Sequence, residues 1–389
     1  RRSGYFFIAI FLTLYTRLTM PESRLSLIAS VAASSGMLSL TFPPTWAIRI
    51  ESQLLDEERV LAWMETEAPE SYRAIIEADK ESQEHFSGHG SAMAQAYNHL
   101  IMPLANERDQ ETQIIWGIED FKSRFNRMPE GMWLGETAVN TSTLEFLAKH
   151  GIKFTVLSPY QAKNTRKIEE KKWIDATGAK VDPKRAYTCN LPSGNQISLF
   201  FYDGPASQGV AFEGLLNNGD KFANRLLGQF HEDPGPQLVH IATDGESYGH
   251  HHRFGEMALS ACLDKIAQHQ EIDLTVYGEY LEKFPPEHEA EIIENTSWSC
   301  YHGVERWRSD CGCNTGGNED WDQKWRAPLR ETFDWVREEL IALYEAEMQP
   351  YNASPWDVRN GYIRVVLNRE NENVDDFLRE NFGEDLSES

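Results

Sequence analysis

The stretch PEGMWLGETAVNTSTLEFLAKHGIKFTVLS, from Pro129 to Ser158, decides the fold class. Its first apolar residues form a short run that ends at Glu136, as in a strand. Ser142 and Glu145 have the spacing of a capping box, which predicts the start of a helix. Gly151 then ends that helix, and the apolar run IKFTVLS predicts a second strand. Strand, helix and strand within about 30 residues are typical of a βαβ unit.

The same alternation recurs further along the chain. The run ISLFFYDG (Ile197–Gly204) predicts a strand, and a helical stretch follows it. The run QLVHIATD (Gln237–Asp244) predicts another strand, and FGEMALSACLDKIAQH predicts its helix. Alternating strands and helices predict an α/β protein with a parallel sheet. If that sheet closes as a barrel, active-site groups are expected at the C-terminal ends of the strands, where Glu136 and Asp244 lie.

Changes in pattern divide the chain into three predicted segments. Residues 1–50 form an atypical N-terminal segment, 51–290 a (β/α) barrel, and 291–389 a mainly helical C-terminal region. The apolar run Tyr5–Thr16 is too short to span a bilayer. It is either the apolar part of a signal peptide that lacks a cleavage site, or lies upstream of a natural start at Met20. Within the barrel segment, AMAQAYNHLIMPLA is expected to be helical.

The composition limits the partners. The chain has 389 residues, with 37 Lys and Arg against 61 Asp and Glu, and a net charge of −24. A phosphate backbone repels such a surface, so nucleic acid is not expected as a partner, and neither is a membrane. A neutral or cationic substrate fits the charge better. Five cysteines at uneven spacing argue against a disulfide scaffold and predict a reducing, cytoplasmic location.

Carboxylates follow two of the predicted strands. Asp244 and Glu246 are two residues apart, so their side chains would face one side if the strand continued through them. Taken alone, such a pair is more often an acidic loop before a helix. Glu136 ends a second strand, however, and carboxylates on two strand ends can meet across a sugar. Glycoside hydrolysis needs one carboxylic acid to protonate the leaving oxygen and one carboxylate to attack the sugar or activate water.

Two long motifs around these carboxylates resemble a known family. The motifs EGMWLGETAVNTSTLEFLAKHGIKFTVLSPYQA and HIATDGESYGHHHRFGEMAL are similar to those of glycoside hydrolase family 57. FSGHGSAMAQAYNHLIMPLA and NTSWSCYHGVERWRSDCGC resemble its branch of uncharacterised members with an additional domain of unknown function, so the resemblance covers about residues 65–380. It implies an incomplete (β/α)7-type barrel with a helical C-terminal region. It also implies a retaining amylase, branching enzyme or glucanotransferase that acts on α-glucans without a cofactor.

The resemblance also implies roles for individual residues. Glu136 matches the family's nucleophile, and Asp244 matches its general acid/base. Trp133 and Trp298 become candidate sugar platforms. Further candidates for substrate binding lie within the family's motifs, and they are His99, Glu246, Tyr248 and His250.

The chain departs from the family pattern at two positions. Gly135 stands where relatives usually have proline before the nucleophile. The family's first barrel strand carries a histidine motif, yet no histidine precedes His85, so that strand is missing or replaced by unrelated residues. This departure supports an alternative, a non-catalytic or truncated relative that only binds glucan.

Two groups of potential metal ligands remain. The adjacent histidines 250–252, together with Asp244, suggest a second alternative, a metal-dependent polysaccharide deacetylase. Adjacent side chains point in different directions, however, and suit a single ion poorly, so we expect no catalytic metal. The other group, hereafter the Cys/His cluster, comprises Cys300, His302, Cys311 and Cys313. Thiolates and imidazole suit a structural zinc or iron–sulfur centre, although C-x-C is a less usual spacing than C-x2-C, and the alternative is simple packing beneath the rim.

Overall fold

The computed structural model describes residues 6–14, 51–52, 57–231, 235–314, 316–318, 320–351 and 353–383. The strands, in chain order, are β1 (Phe6–Leu14), β2 (Glu51–Ser52), β3 (Ala94–Gln95), β4 (Met132–Trp133), β5 (Phe154–Leu157), β6 (Ala162–Lys167), β7 (Ile174–Asp175), β8 (Ala186–Asn190), β9 (Gln196–Phe201), β10 (Gln237–Asp244), β11 (Ile272–Leu274) and β12 (His288–Ile292). The α-helices are α1 (Glu57–Glu67), α2 (Pro69–His85), α3 (Glu107–Phe125), α4 (Thr141–Lys149), α5 (Gly204–Phe212), α6 (Gly219–Leu227), α7 (Gly255–Ala267), α8 (Tyr277–Lys283), α9 (Glu305–Arg308), α10 (Arg326–Met348), α11 (Pro355–Gly361), α12 (Ile363–Leu367) and α13 (Asn371–Phe382).

Parallel strands form the predicted barrel. β1 pairs in parallel with β10 on one side and β11 on the other, and β2 joins the end of β1. β5 pairs in parallel with β9, and β3 with β4, while a parallel bridge links Gly131 to Phe154. β5 is buried throughout and β10 is buried up to Thr243, as expected of parallel strands covered on both faces. With the helices between the strands, this confirms the incomplete (β/α)7-type barrel.

An antiparallel extension of the sheet is not predicted by the sequence. Beyond β9, the strand order continues as β8, β12, β6 and β7. β8 runs antiparallel to β9, and β12 runs antiparallel to β6. The sequences of β6 (AKNTRK) and β12 (HEAEI) are largely polar, so they lack the apolar runs that predict strands. A cross-strand ion pair between Arg166 and Glu289, 2.5 Å apart, joins them instead.

The N-terminal apolar run contains a strand. β1 pairs with all of β10, and Thr13 lies opposite Asp244, so β1 ends at the same edge of the sheet as the predicted acid/base. Of the two alternatives for the first barrel strand, this agrees with replacement by residues that lack the histidine motif. The alternative start at Met20 lies outside the described residues. The divisions at residues 50 and 290 stay predictions, and β12 spans the second of them.

The prediction of a helix over AMAQAYNHLIMPLA is wrong. Ala94 and Gln95 form β3, which pairs with β4, and only Met102–Leu104 form a single 3₁₀ turn. The backbone of Gln95 also lies against Gly117 of α3, where an added Cβ would be 1.9 Å from the Gln95 carbonyl oxygen. Tertiary pairing and close packing therefore outweigh the helical propensity of this alanine-rich stretch.

The predicted capping box of α4 is also wrong. The side chain of Asn140 caps this helix, because it accepts a hydrogen bond of 2.9 Å from the Thr143 amide. Asn140 has the extended backbone of an N-cap residue, whereas Ser142 is already inside the helix. Glu145 accepts a hydrogen bond from the Ser193 amide instead, at 2.8 Å.

The C-terminal region is helical, as predicted. Buried apolar side chains give α10 to α13 a small core of their own, made of Met348, Val358, Val365 and Phe377. Asn360 joins this region to α3, since its side chain accepts from Thr112 at 2.6 Å and its carbonyl accepts from the Trp116 indole at 3.0 Å. Among the helices of the described ranges, none combines the length and apolar character that crossing a membrane requires.

A buried ion pair fixes α2 to the barrel. Asp79 is 2% exposed, and its two carboxylate oxygens lie 2.7 Å from Nε and Nη2 of Arg127. The same carboxylate accepts from the Ala92 amide at 2.7 Å. Because both charges are satisfied by this one arrangement, loss of either partner leaves the other buried and unpaired.

We predict that Asp79→Ala lowers the free energy of unfolding by about 3–5 kcal/mol, since it leaves Arg127 without its counter-ion. Urea unfolding monitored by circular dichroism measures the change. The control is Glu77→Ala on the same helix, which removes only an exposed pair with Lys80 and should change the free energy of unfolding by less than about 1 kcal/mol. Equal effects of the two substitutions would contradict the role given to Asp79.

Candidate active site

A cavity of about 850 Å³ opens at the C-terminal ends of the parallel strands. Glu136 follows β4, Ser158 follows β5, Tyr202 follows β9 and Asp244 ends β10, and all four line the cavity. This is the edge at which (β/α) barrels carry their functional groups. The two carboxylates predicted to act together therefore lie on the wall of one cavity.

Glu136 has a strained backbone. Its φ is +55° and that of Thr137 is +52°, in the left-handed region that residues with a Cβ rarely adopt. Gly135 permits the turn, because a Cβ there would lie 2.8 Å from the carbonyl oxygen of Leu100. The proline that the family pattern leads us to expect at this position would bring its Cβ into the same close contact. Strain of this kind persists only where the surrounding structure fixes it, and it is concentrated at functional sites.

A buried hydrogen-bond network fixes that turn. Gln161 is fully buried; its Oε1 accepts from the Thr137 hydroxyl at 2.9 Å, and its Nε2 donates to the Thr137 carbonyl at 2.8 Å. The Thr137 hydroxyl in turn accepts from the Trp298 amide at 2.9 Å. Trp298 then donates from its indole Nε1 to Oε2 of Glu136, at 3.0 Å. The network thus positions the backbone of Glu136 and one of its carboxylate oxygens.

The groups around the Glu136 carboxylate favour its ionised form. Burial alone would raise the pKa of this carboxyl. Hydrogen bonds from His99, Trp298 and Ser299, together with the positive charge of His99, outweigh burial and lower the pKa below its ordinary value. Nε2 of His99 lies 3.4 Å from Oε1, on the other side of the carboxylate from Trp298.

Asp244 has the opposite electrostatic environment. Its side chain is open to the cavity, but protein surrounds it on its other sides. Burial, followed by the negative charge of Glu136, raises the pKa of Asp244 from 3.8 to about 6. A carboxyl with such a pKa holds its proton in mildly acidic solution and can give it up there. The two groups thus suit different tasks, because Glu136 ionises at a lower pH than usual whereas Asp244 stays protonated up to about pH 6.

The other predicted substrate-binding residues divide into two sets. Trp298 lines the cavity, and His99 contacts Glu136, so both belong to the site. Trp133 is fully buried, and its ring packs against that of Trp298 with centroids 5.1 Å apart. It therefore supports a cavity residue and cannot itself be a sugar platform.

Three predicted residues near Asp244 do not line the cavity. Tyr248 is buried in a neighbouring apolar cluster, and its hydroxyl bonds to that of Thr243 at 3.1 Å. Glu246 is buried and pairs with His251 at 3.4 Å. His250 is exposed, and its ring packs against that of His251. The chain turns directly after Asp244, so these side chains face away from the cavity and their direct contact with substrate is not supported.

Residues that sequence analysis misses complete the walls. Tyr202, Tyr160 and Phe212 all line the cavity. Burial raises the pKa of Tyr202 to about 12, so its hydroxyl stays protonated beside Asp244. The sequence contains a signal for two of the site residues, Tyr202 and Gln161. Tyr202 lies at the C-terminal end of the predicted strand Ile197–Gly204, and Ser158-x-x-Gln161 has the form of a capping box.

The potential metal ligands are brought together at one place. In the described part of the chain, the Cys/His cluster is the one group of three or more metal-binding side chains. Asp244 and the adjacent histidines 250–252 do not form such a group. His252 instead bonds the carbonyl of Ala211 at 3.0 Å. The geometry therefore gives no support to a deacetylase metal site at this position.

Comparison with known families agrees with the barrel fold. Residues 21–293 match the glycosyl hydrolase family 57, and residues 321–389 match a domain of unknown function, DUF3536. The chain belongs to glycosyl hydrolase family 57. The described strand β1 lies before the matched residues, in keeping with its departure from the family pattern. No curated protein matches the sequence.

Several solved structures have a similar fold. A maltose-forming exo-amylase from Pyrococcus sp. ST04 has a TM-score of 0.66 at 12% identity, over 97% of this chain and 69% of that one. A 4-α-glucanotransferase from Thermococcus litoralis has a TM-score of 0.58 at 15% identity, over 79% of this chain and only 44% of that one. A branching enzyme from Thermococcus kodakaraensis has a TM-score of 0.54 at 16% identity, over 84% and 77%. At these identities the similarity establishes the fold.

The raised pKa of Asp244 predicts a pH-dependent gain in stability for Asp244→Asn. The folded chain binds this proton more tightly than the unfolded chain, so the wild type loses stability as the pH rises from about 4 to about 6. Asparagine does not titrate. The free energy of unfolding of the variant, relative to wild type, should therefore be greater at pH 7 than at pH 4. Asp264→Asn, which also removes one carboxylate, is the control, and a pH-independent difference for Asp244→Asn would contradict the assignment.

Proposed function

We propose that the protein is a retaining glycoside hydrolase or transglycosidase that acts on α-glucans. One observation carries the proposal. Glu136 and Asp244 line the same cavity, and their pKa values are shifted in opposite directions. This pattern matches the nucleophile and the general acid of a retaining glycosidase, which need to be ionised and protonated, respectively, at the start of the reaction.

In the first step, a carboxylate oxygen of Glu136 attacks the anomeric carbon. The bond from that carbon to the glycosidic oxygen breaks, and the departing oxygen takes its electron pair together with the proton of Asp244. Indole Nε1 of Trp298 and the ring of His99 hold the Glu136 carboxylate in place during the attack. The products are a glycosyl ester of Glu136 and a shortened glucan.

In the second step, Asp244 acts as a base. It accepts a proton from an incoming hydroxyl, whose oxygen attacks the anomeric carbon and releases Glu136 as a carboxylate. Water as the acceptor gives hydrolysis, and a sugar hydroxyl gives transfer. The proton returns to Asp244, so the site is restored after each cycle.

The walls of the cavity and the charge of the chain support a neutral sugar substrate. Tyr160 and Phe212 are exposed aromatic side chains on its wall, and aromatic faces stack on sugar rings. A net charge of −24 repels anionic polymers but not an uncharged glucan. The names of the structurally similar proteins refer to a 4-α-glucanotransferase and a maltose-forming amylase, and the branching enzyme was solved in complex with glucose, which favours a glucan substrate here.

Azide rescue tests the two roles separately. With α-maltosyl fluoride, which needs no acid to leave, Glu136→Ala and azide should give the β-azide, because azide replaces the nucleophile in one inverting step. Asp244→Ala should still form the glycosyl ester, which azide then opens to the α-azide. Resolution of the two anomers by NMR measures the outcome. The α-azide from Glu136→Ala and the β-azide from Asp244→Ala would reverse the roles of the two carboxylates. The control is Glu347→Gln, which changes an exposed residue on α10. The same products from this control would show that rescue is nonspecific.

The pH profile of kcat/KM tests the predicted charge states. Activity should require ionised Glu136 and protonated Asp244, so kcat/KM on amylose should fall on the alkaline side with an apparent pKa of about 6. Products are resolved by chain length and branch content, which separates hydrolysis from transfer. An alkaline limb far above pH 6 would contradict the role of Asp244. Binding of amylose without any product would favour the non-catalytic glucan-binding alternative.

A further inference from the structure

The Cys/His cluster lies outside the proposed reaction, where the loop after Trp298 meets the start of α10. We propose that it binds one structural Zn²⁺ ion, which fixes this loop. The ion would take thiolates from three cysteines and an imidazole nitrogen from the histidine. The zinc site does not depend on the proposed glucan chemistry.

The distances between the ligand atoms fit a tetrahedral zinc ion. The Sγ atoms of Cys300 and Cys313 are 3.7 Å apart, and Nδ1 of His302 lies 3.8 Å and 3.4 Å from them. With Zn–S near 2.3 Å and Zn–N near 2.0–2.1 Å, a tetrahedron puts its ligand atoms about 3.5–3.8 Å apart. All four ligand atoms lie within 4.8 Å of one another, which allows Cys311 to complete the set.

The surrounding backbone is built to bring these side chains together. Gly312, between the last two cysteines, has a φ of +77°, a conformation that permits a tight C-x-C turn. Gly303 follows the histidine with a φ of +62°, and a Cβ there would lie 2.2 Å from the Asn295 carbonyl oxygen. Two segments with eight residues between them in sequence, one at 300–302 and one at 311–313, thus meet in space.

A neighbouring arginine favours the thiolate of Cys311 and joins the cluster to α10. Nη1 of Arg326, the first residue of α10, is 3.7 Å from Sγ of Cys311. A nearby guanidinium stabilises a thiolate, the form of cysteine that binds metal. The side chain of Gln323 also donates to the carbonyl of Cys313. The cluster therefore joins the active-site loop to the C-terminal helical region.

A disulfide does not explain this arrangement as well. The five cysteines are free, and 3.7 Å between the two sulfurs is well above the bond length of about 2.05 Å. A disulfide would also leave the histidine and the third cysteine without a common role. Four protein ligands leave no open position on a zinc ion, so the proposed site is structural and takes no part in bond breaking.

The ion would act on the active site through the loop. Cys300 is two residues from Trp298, whose indole bonds to Glu136 at 3.0 Å. The amide of Val304, a buried residue, donates to the Asn295 carbonyl at 3.0 Å and closes the same loop. Zinc would fix the far end of this segment, and Trp298 acts here as a positioning residue.

Metal analysis of the full-length chain, purified with reduced thiols and without chelators, tests the site. We expect about one zinc ion per chain by inductively coupled plasma mass spectrometry. The double variant Cys311→Ser/Cys313→Ser should lose it, whereas the control Cys189→Ala/Cys262→Ala should keep it, because both of those cysteines are buried elsewhere. Retention of zinc by the first variant, a bound iron–sulfur centre, or a wild-type chain that takes up no added Zn²⁺ would overturn the proposal.

Cobalt binding provides a second test of the site, and this test needs no variant. Co²⁺ added to the metal-stripped wild-type chain should show thiolate charge-transfer absorption and the intense visible bands of tetrahedral coordination, and Zn²⁺ should abolish both. The absence of these bands would overturn the site even if the cysteine variants failed to fold.

Hydrogen exchange tests whether the metal fixes the loop. Stripping the metal should speed exchange at residues 295–304 but not in β10, and unchanged exchange at 295–304 would overturn the positioning role.

Discussion

The proposed chemistry depends on two carboxylates that face one cavity in opposite electrostatic environments. Burial, followed by the negative charge of Glu136, raises the pKa of Asp244 to about 6, while hydrogen bonds favour the ionised form of Glu136. Two like charges near each other in a partly buried site cannot both be ionised without cost, so Asp244 keeps its proton to a higher pH than usual. This arrangement lowers the free energy of unfolding near neutral pH, because ionisation of Asp244 destabilises the folded chain.

The buried network around Glu136 determines which carboxylate is ionised. Gln161 and Thr137 hold a left-handed turn that residues with a Cβ rarely adopt, and Trp298 connects this turn to the carboxylate. The indole and His99 approach the carboxylate from two sides and leave the cavity side open for substrate. The proposed zinc site would contribute indirectly. It would fix the loop that carries Trp298, and Trp298 in turn positions the Glu136 carboxylate.

Much of the site could be predicted from the sequence, because strand ends in a parallel barrel converge. β4, β5, β9 and β10 follow from their apolar runs, and the positions of Glu136 and Asp244 follow from those strands. The orientation of residues after Asp244 could not be predicted. A strand that continued would have directed Glu246 towards the cavity, but the chain enters a 3₁₀ turn at Gly245–Ser247 and buries it. Likewise, the indole of Trp133 is as suited to a core as to a sugar platform, and only packing distinguishes the two.

The polar strands beyond β9 could not be predicted for a related reason. Strands β6 and β12 are stabilised by cross-strand pairs such as Arg166 and Glu289, which leave no periodic signal in either segment alone. The helix expected over AMAQAYNHLIMPLA failed because pairing between β3 and β4 depends on residues nearly 40 positions away. Local propensity is a weak predictor wherever a long-range contact competes with it.

The central claim is that Glu136 forms a covalent bond to sugar. Incubation with a 5-fluoro-α-glycosyl fluoride, which forms a glycosyl ester quickly and releases it slowly, followed by proteolysis and tandem mass spectrometry, tests this most directly. We expect one added fluoroglycosyl group on the peptide that contains Glu136, and we expect excess acceptor to remove it. A label on Asp244 or another carboxylate, or continued turnover of amylose with no labelled peptide, would contradict it.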